Sequence, residues 1–100
     1  MYIINTTFAV VREFEAEFTK WVKEVYIPSA MKSGLFSNPR LAVVLSNEDP
    51  RGISMACEMQ VESISEAVRW HDETACFLRD DMTARWGERA MFFTTYLKLI

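Results

Sequence analysis

The chain has 100 residues, half of them hydrophobic and a quarter charged, with eleven basic and fourteen acidic side chains for a net charge of −3. This length fits one domain over residues 1–100, and the lack of a lysine or arginine cluster argues against a nucleic-acid partner. No apolar run reaches the roughly 20 residues of a membrane helix, and the N-terminus lacks signal-peptide features, so we predict a cytoplasmic protein without membrane contact. Cys57 and Cys76 are far apart and lack metal-ligand spacing, which predicts buried thiols. The sequence has no glycine-rich phosphate loop, nucleophile elbow or zinc pattern, and we predict no metal site and no cofactor.

The first half of the chain predicts a strand, a helix and a long connection. Residues 2–10 are rich in Ile, Thr, Phe and Val, which favours a strand. From near Glu13 apolar residues recur at helical spacing, and Pro28 predicts a break or kink of that helix at the preceding residue. Residues 35–40 are predicted to be a connection.

The second half predicts two strands, a helix and a last strand. The strands, 41–46 and 53–62, flank a hairpin loop that is dense in turn-forming residues. Ser63 and a glutamate three positions later form a capping box that opens a helix, and Gly87 ends it. The stripe of this helix that is predicted to face the sheet is Ile64, Val68, His71, Ala75, Leu78 and Met82. The last strand is predicted over 91–100.

The order β-α-β-β-α-β predicts an α+β ferredoxin-like fold, with a four-stranded antiparallel sheet in the order 4-1-3-2 and both helices on one face. The last strand is apolar on both sides, so its uncovered side predicts a homodimer whose two sheets face each other. If Ile4 and Phe8 point toward the helices, the open face also carries Glu58 and Gln60, which then require polar partners. The candidate interface residues are Ile3, Thr7, Phe36, Glu58, Gln60, Phe92, Thr94 and Tyr96.

The segment 26–40 is long for a simple connection and contains Pro28, Gly34 and Pro39. It could form a lid or the mouth of a pocket. Equally, Leu35 and Phe36 could anchor it against a partner subunit, and the sequence leaves the two interpretations open.

Several blocks of the chain resemble a bacterial family of uncharacterised proteins of this length. The blocks are Tyr2-Ile3-Ile4-Asn5-Thr6-Thr7-Phe8, Trp21-Val22-Lys23-Glu24-Val25-Tyr26-Ile27-Pro28, Ser33-Gly34-Leu35-Phe36, Asn38-Pro39-Arg40-Leu41 and Phe93-Thr94-Thr95. The resemblance covers essentially the whole chain and implies a dimeric α/β-barrel fold. It implies no activity.

More distantly, the chain resembles the antibiotic-biosynthesis monooxygenase-like superfamily, which shares that fold. Its second helix often carries a histidine after an apolar stretch and another five residues later, followed by phenylalanine. His71 matches the first position, whereas Cys76 stands at the second, before Phe77. This departure argues against haem ligation or a two-histidine site.

His71, the only histidine, is the candidate catalytic residue, because imidazole is the natural proton shuttle near neutral pH. It could equally be a core histidine with one satisfied nitrogen. Asn5 could orient a polar ligand or bond to a neighbouring chain, and Trp70 and Tyr96 could hold an aromatic ligand or serve burial alone. The candidate ligand-binding residues are Asn5, Trp70, His71 and Tyr96.

These features predict a homodimeric small-ligand-binding or structural module, and they leave open whether it is an enzyme. The alternative is a cofactor-independent monooxygenase-like enzyme acting on a small aromatic substrate, with His71 as acid or base and Asn5 and Tyr96 as orienting groups. That alternative requires a cavity between the helices and the sheet into which His71 projects. Large side chains such as Trp21, Phe18 and Phe93 would exclude it by filling that space.

Overall fold

A four-stranded antiparallel sheet forms the centre of the protein in the computed structural model, which describes residues 1–45 and 50–100. The strands are β1 (Tyr2–Val11), β2 (Phe36–Val43), β3 (Gly52–Val61) and β4 (Ala90–Lys98). Their order in the sheet is β2-β3-β1-β4, so β2 and β4 are the edges. Residues 47–49 of the hairpin loop predicted over 47–52 lie outside the described residues.

Four α-helical segments occur in the described part of the chain. They are α1 (Glu15–Trp21), α2 (Ile27–Met31), α3 (Ile64–Glu73) and α4 (Ala75–Trp86). A π-helical turn, Val22–Tyr26, joins α1 to α2, and Thr74 alone separates α3 from α4. None of the helices in residues 1–45 and 50–100 combines the length and the apolarity needed to cross a membrane.

The helical backbone does not end before Pro28, where the sequence predicts a break or kink, because a π turn carries it into α2. The N–H of Ile27 donates to the carbonyl of Val22, five residues back, which is the π-helical pattern. Pro28 then falls in the first turn of α2. A π turn interrupts the α hydrogen bonding without ending the helix, and proline is tolerated in a first helical turn.

The predicted connection over 35–40 is also wrong, since β2 begins at Phe36. The strand carries a bulge between Ser37 and Arg40, with Asn38 at a φ of 50° beside Pro39. Bulges and prolines are tolerated at sheet edges, so turn-forming residues can lie within an edge strand. Phe36 is buried against the ring of Trp70, at a centroid distance of 5.0 Å, rather than exposed.

The second helical region begins as predicted, but only part of its predicted stripe is buried. The side chain of Ser63 accepts a hydrogen bond from the backbone N–H of Glu66, which confirms the capping box. Ala67 and Trp70 are buried, whereas Val68, which the apolar spacing places in the core, is exposed. The core-facing side of α3 therefore includes Ala67 and Trp70, which the predicted stripe omits, whereas Ala75 and Met82 of that stripe are buried in α4.

The register of β4 on β1 reverses the predicted facing of the last strand. Phe92, Thr94 and Tyr96 stand opposite the buried even-numbered residues of β1, so their side chains lie on the helix side of the sheet. The open face of β4 instead carries Met91, Phe93, Thr95 and Leu97. Because both sides of this strand are apolar, alternation alone could not assign them, and a one-residue shift exchanges the two faces.

The predicted interface residues consequently divide between the two faces of the sheet. Those on the open face are Ile3, Thr7, Glu58 and Gln60. Those on the helix side are Phe36, Phe92, Thr94 and Tyr96. Only the first group can meet a sheet packed on the open face.

Aromatic side chains fill the layer between helices and sheet. The ring of Phe18 lies 5.2 Å from that of Phe8 and 4.9 Å from that of Trp86, and Trp21 packs beside all three. Cys57 is buried in the same core as a free thiol, and burial raises its pKa to about 12. This continuous aromatic packing fixes both helical regions on one side of β1 and β3.

Candidate functional site

The sheet separates the four candidate ligand-binding residues. Asn5 lies on the open face, where its amide contacts the hydroxyl of Thr95. Trp70, His71 and Tyr96 lie on the other side, with the rings of His71 and Tyr96 6.3 Å apart. Asn5 therefore cannot orient a ligand that contacts His71, and the predicted combination of His71, Asn5 and Tyr96 is not assembled within one protomer.

His71 joins α3 to β4 through both ring nitrogens. Its Nε2 lies 3.0 Å from the hydroxyl of Thr94, and its Nδ1 lies 3.3 Å from a carboxylate oxygen of Asp72. An ionised carboxylate only accepts hydrogen bonds, so the neutral ring places its proton on Nδ1 and accepts from Thr94 at Nε2. The sequence placed His71 toward the sheet, and the structure adds these two partners.

The contact continues from Thr94 into the core. The hydroxyls of Thr94 and Thr6 are 3.1 Å apart, and the hydroxyl of Tyr26 donates to Thr6 at 3.4 Å. We call the series Tyr26, Thr6, Thr94, His71 and Asp72 the hydrogen-bonded chain. Each hydroxyl in it can donate one hydrogen bond in the direction of His71, so no donor along it is left without an acceptor.

The inner end of the hydrogen-bonded chain lies in a dry environment. Tyr26 is held by the π turn among Phe8, Trp21 and Trp70 and is almost fully buried. Burial raises the pKa of Tyr26 to about 12, against the opposing effect of its bond to Thr6. Tyr26 therefore acts as a neutral donor, and the hydrogen-bonded chain ties the π turn to β1, β4 and α3.

Arg79 places a positive charge beside the outer end of the hydrogen-bonded chain. Its Nη2 donates to the backbone carbonyl of His71 at 2.9 Å, and its guanidinium lies 5.4 Å from the ring centroid of Phe92. Burial and the nearby carboxylate of Asp72 raise the pKa of Tyr96, while Arg79 opposes them. The outer end thus combines an imidazole, a phenol, a carboxylate and a guanidinium at the β4 edge.

The space required by the monooxygenase interpretation is occupied. Phe8, Phe18, Trp21 and Trp86 pack against one another between the helices and the sheet. A cavity of about 380 Å³ lies instead at one end of the sheet, beside Met91, and its lining does not include His71. The packing therefore argues against an aromatic substrate bound between helix and sheet.

Sequence reasoning missed Thr6, Thr94 and Asp72 as partners of the candidate histidine. One signal was available for the two threonines. Each interrupts an otherwise apolar strand at a position facing the core, and a polar group buried there requires a hydrogen-bond partner. Arg79 carried no comparable signal, because a single arginine on a helix is ordinarily a solvated side chain.

We expect His71→Ala to lower the free energy of unfolding by about 1 kcal/mol, the usual value of one hydrogen bond, because Thr94 keeps Thr6 as a partner. Asp72→Asn is the control. Asp72 is largely exposed and the amide oxygen still accepts from His71, so we expect a loss below about 0.5 kcal/mol. Urea unfolding of both variants measures this, and equal losses would contradict it.

Comparison with known proteins identifies a family whose function is unknown. A family model described as a domain of unknown function, DUF4286, matches residues 1–100. A search of curated proteins finds no match.

Proposed function

Since the chain belongs to the DUF4286 family of domains of unknown function, we propose its role from its surfaces alone: a homodimeric small-ligand-binding or structural module whose two sheets pack face to face. The observation that carries this proposal is the uncovered apolar side of β4. Met91, Phe93 and Leu97 are 66%, 60% and 43% exposed on the open face. Neighbouring large apolar side chains exposed to this extent mark an interaction surface.

The fold supports a second copy as the occupant of this face. Counted from the β4 edge, the strand order β2-β3-β1-β4 agrees with the 4-1-3-2 order predicted for a ferredoxin-like sheet, which supports that interpretation. Four strands of eight to ten residues, spaced about 4.8 Å apart and rising about 3.4 Å per residue, present about 600 Å² per protomer. Two such faces bury about 1,200 Å², the lower end of specific interfaces.

The polar side chains of the open face, on β2 and β3, already have ion-pair or hydrogen-bond partners within one protomer. Arg40 and Glu58 form an ion pair at 3.0 Å, and the amide of Asn38 donates to Gln60 at 2.9 Å. These are the partners that the sequence required for Glu58 and Gln60. A second sheet can therefore cover this half without leaving a charge unpaired.

The arrangement of the two halves favours one symmetry. On this face the apolar residues lie on β4, at one edge of the sheet, and the polar pairs lie on β2 and β3, toward the opposite edge. A two-fold axis that lies between the sheets and runs perpendicular to the strands stacks β4 on its own copy and the polar pairs on theirs. We infer this axis, because the other in-plane axis would place apolar side chains on charged ones.

Asn5 supports a ligand within or beside this interface. Its Oδ1 is buried and has no hydrogen-bond partner among the described residues, although it lies on the open face. A buried carbonyl without a donor is costly, so a donor from a ligand or from the second copy would stabilise the assembly. The cytoplasmic location remains a prediction from the sequence.

We expect Phe93→Glu to weaken the face-to-face contact by about a hundredfold or more, because it buries an unpaired carboxylate between two apolar strands. Phe77→Glu is the matched control, since Phe77 is 71% exposed but lies on α4, on the opposite side of the sheet. Light scattering across a dilution series measures the mass of both variants. An unchanged mass for Phe93→Glu with intact circular dichroism would refute the proposal.

A further inference from the structure

The free edge of β4 presents a defined set of backbone groups. The N–H of Leu99 donates to the carbonyl of Met1 at 3.0 Å, so these residues form a hydrogen-bonded pair of the β1–β4 ladder. In an antiparallel ladder such pairs alternate with pairs whose backbone groups point away. The N–H and C=O groups of Phe92, Thr94 and Tyr96 therefore point away from β1, toward the outer side of the sheet.

The two edges of the sheet differ in how they are protected. On β2, a bulge between Ser37 and Arg40, the left-handed backbone of Asn38 and the ring of Pro39 all disrupt regular pairing. Proteins use these devices to prevent sheets from adding strands. Residues 90–97 of β4 contain no proline, glycine or charged residue, so this edge is regular, apolar and able to pair.

We propose that β4 pairs antiparallel with β4 of a second copy around a two-fold axis at Thr94, which gives a continuous eight-stranded sheet. Centring the axis on Thr94, the middle of the strand, places Phe92 opposite Tyr96 of the second copy. The outward groups of these residues then meet in register, and two hydrogen bonds for each of three opposed pairs give about six. The strand is thus its own complement.

Side chains agree with this register on both faces. Phe92 and Tyr96, each 37% exposed, form aromatic cross-strand pairs on the helix side, and Met91 meets Leu97 on the open side. Lys98, the only charge of β4, stands opposite the alanine that begins the strand. Since no like charges meet and aromatic pairs stabilise adjacent strands, a second copy fits this edge without any change of sequence.

The second copy would also complete the cluster around His71. Tyr96 packs against His71, and in the proposed pairing Phe92 of the second copy lies beside Tyr96. The histidine, the phenol and Arg79 of one protomer would then share a surface with the aromatic side chain of the other. The two-fold axis therefore places two such groups of side chains, each around one His71, along the proposed contact between the two β4 strands.

Edge pairing is independent of the face-to-face contact. Its two-fold axis runs perpendicular to the sheet, whereas the axis proposed for the open face lies in the plane of the sheet. Perpendicular two-fold axes that intersect generate a closed tetramer. We therefore expect a tetramer when both contacts form and a dimer when either is removed.

A matched pair of variants at Thr94 tests the edge. Thr94→Pro and Thr94→Ala both lose the hydroxyl contacts to His71 and Thr6, but only proline also removes the outward N–H. Because that N–H does not bond to β1, proline is compatible with the folded protomer. We expect Thr94→Pro to halve the assembly mass and weaken association about tenfold to a hundredfold, and Thr94→Ala to keep the wild-type mass.

The assembly masses of Thr94→Pro and Phe93→Glu together show whether the edge contact, the face-to-face contact or both form. If Thr94→Pro is folded and keeps the wild-type mass, the edge proposal is overturned, whatever Phe93→Glu shows. If Thr94→Pro halves the mass while Phe93→Glu does not, the edge proposal stands and the face-to-face proposal fails. A wild-type monomer overturns both, and a co-purified peptide on β4 overturns the second copy as occupant.

If Thr94→Pro does not fold, hydrogen exchange on the wild-type protein tests the β4 edge pairing instead. In an unpaired edge, the amides of Phe92, Thr94 and Tyr96 exchange much faster than those of Phe93 and Thr95, which bond to β1. Edge pairing predicts that all five become protected to within about tenfold of one another as protein concentration rises. Fast exchange of the three outward amides at every concentration overturns the proposal.

Discussion

Replacing Phe18 by alanine is expected to lower the free energy of unfolding by about 3–5 kcal/mol, the usual range for a buried phenylalanine. Phe18 has no exposed surface, and its ring contacts Phe8 at 5.2 Å and Trp86 at 4.9 Å. The surrounding rings belong to both helical regions and to β1, so they cannot close over the cavity without moving the helices. Such a loss is a large part of the stability of a domain this small.

Phe77→Ala is the matched control, because the same atoms are removed from a side chain that is 71% exposed. We expect it to change stability by less than about 0.5 kcal/mol. Thermal unfolding measures both variants, and each kcal/mol corresponds to roughly 4–8 °C in a domain of this length. A loss below about 1 kcal/mol for Phe18→Ala would mean that the aromatic layer is not the main source of stability.

Elements whose residues alternate or repeat with one clear period were predictable from the sequence. β3 alternates between apolar and polar residues, and its odd-numbered residues from Met55 to Val61 are buried. The second helical region begins at the predicted cap, where the hydroxyl of Ser63 bonds to the backbone of Glu66. In each case one local signal determines the outcome, without information from distant parts of the chain.

Predictions failed where two distant segments had to be compared. The facing of Phe92 and Tyr96 depends on the register with β1, more than eighty residues away along the chain, and both sides of β4 are apolar. β2 reads as a turn because Asn38 and Pro39 are turn formers, although a bulge at a sheet edge also uses them. Such ambiguities are resolved by pairing, not by propensity.

The candidate site was predictable in its central residue but not in its composition. His71 lies on the side of α3 that meets the sheet, as its spacing indicates, and contacts Thr94. Asn5 was grouped with it only because strand one was not oriented against α3, and the register places it on the other face. A site assembled from several elements depends on every register between them.

The two core-facing threonines of the hydrogen-bonded chain help to fix the register of β4 on β1. Thr6 and Thr94 stand directly opposite each other on β1 and β4, on the face that otherwise carries apolar side chains. A pair of hydroxyls satisfies both groups only if the strands are in this register, because a slip of β4 by one residue would turn Thr94 to the open face and leave Thr6 in the core without it. The hydrogen-bonded chain therefore favours this register of β4 on β1 over the registers that are shifted by one residue.

Thr6→Val is expected to lower the free energy of unfolding by about 1–3 kcal/mol, although valine has nearly the same shape. The substitution removes the acceptor of the Tyr26 hydroxyl, which is buried and has no other hydrogen-bond partner among the described residues. Thr7→Val is the matched control on the open face, where the hydroxyl of the threonine accepts a hydrogen bond from the Asn5 amide at 3.5 Å. There we expect a change below about 0.5 kcal/mol in urea unfolding.

The double variant Thr6→Val with Tyr26→Phe tests whether the two hydroxyls are coupled in the stability of the fold. Removing both hydroxyls leaves no buried donor without an acceptor, so we expect it to recover about half or more of the stability lost by Thr6→Val alone. Recovery means that the two groups are coupled and that the chain stabilises the register of the sheet. If the double variant instead loses the sum of the two single losses, Thr6 and Tyr26 are not coupled, and the hydroxyl of Tyr26 must be satisfied elsewhere.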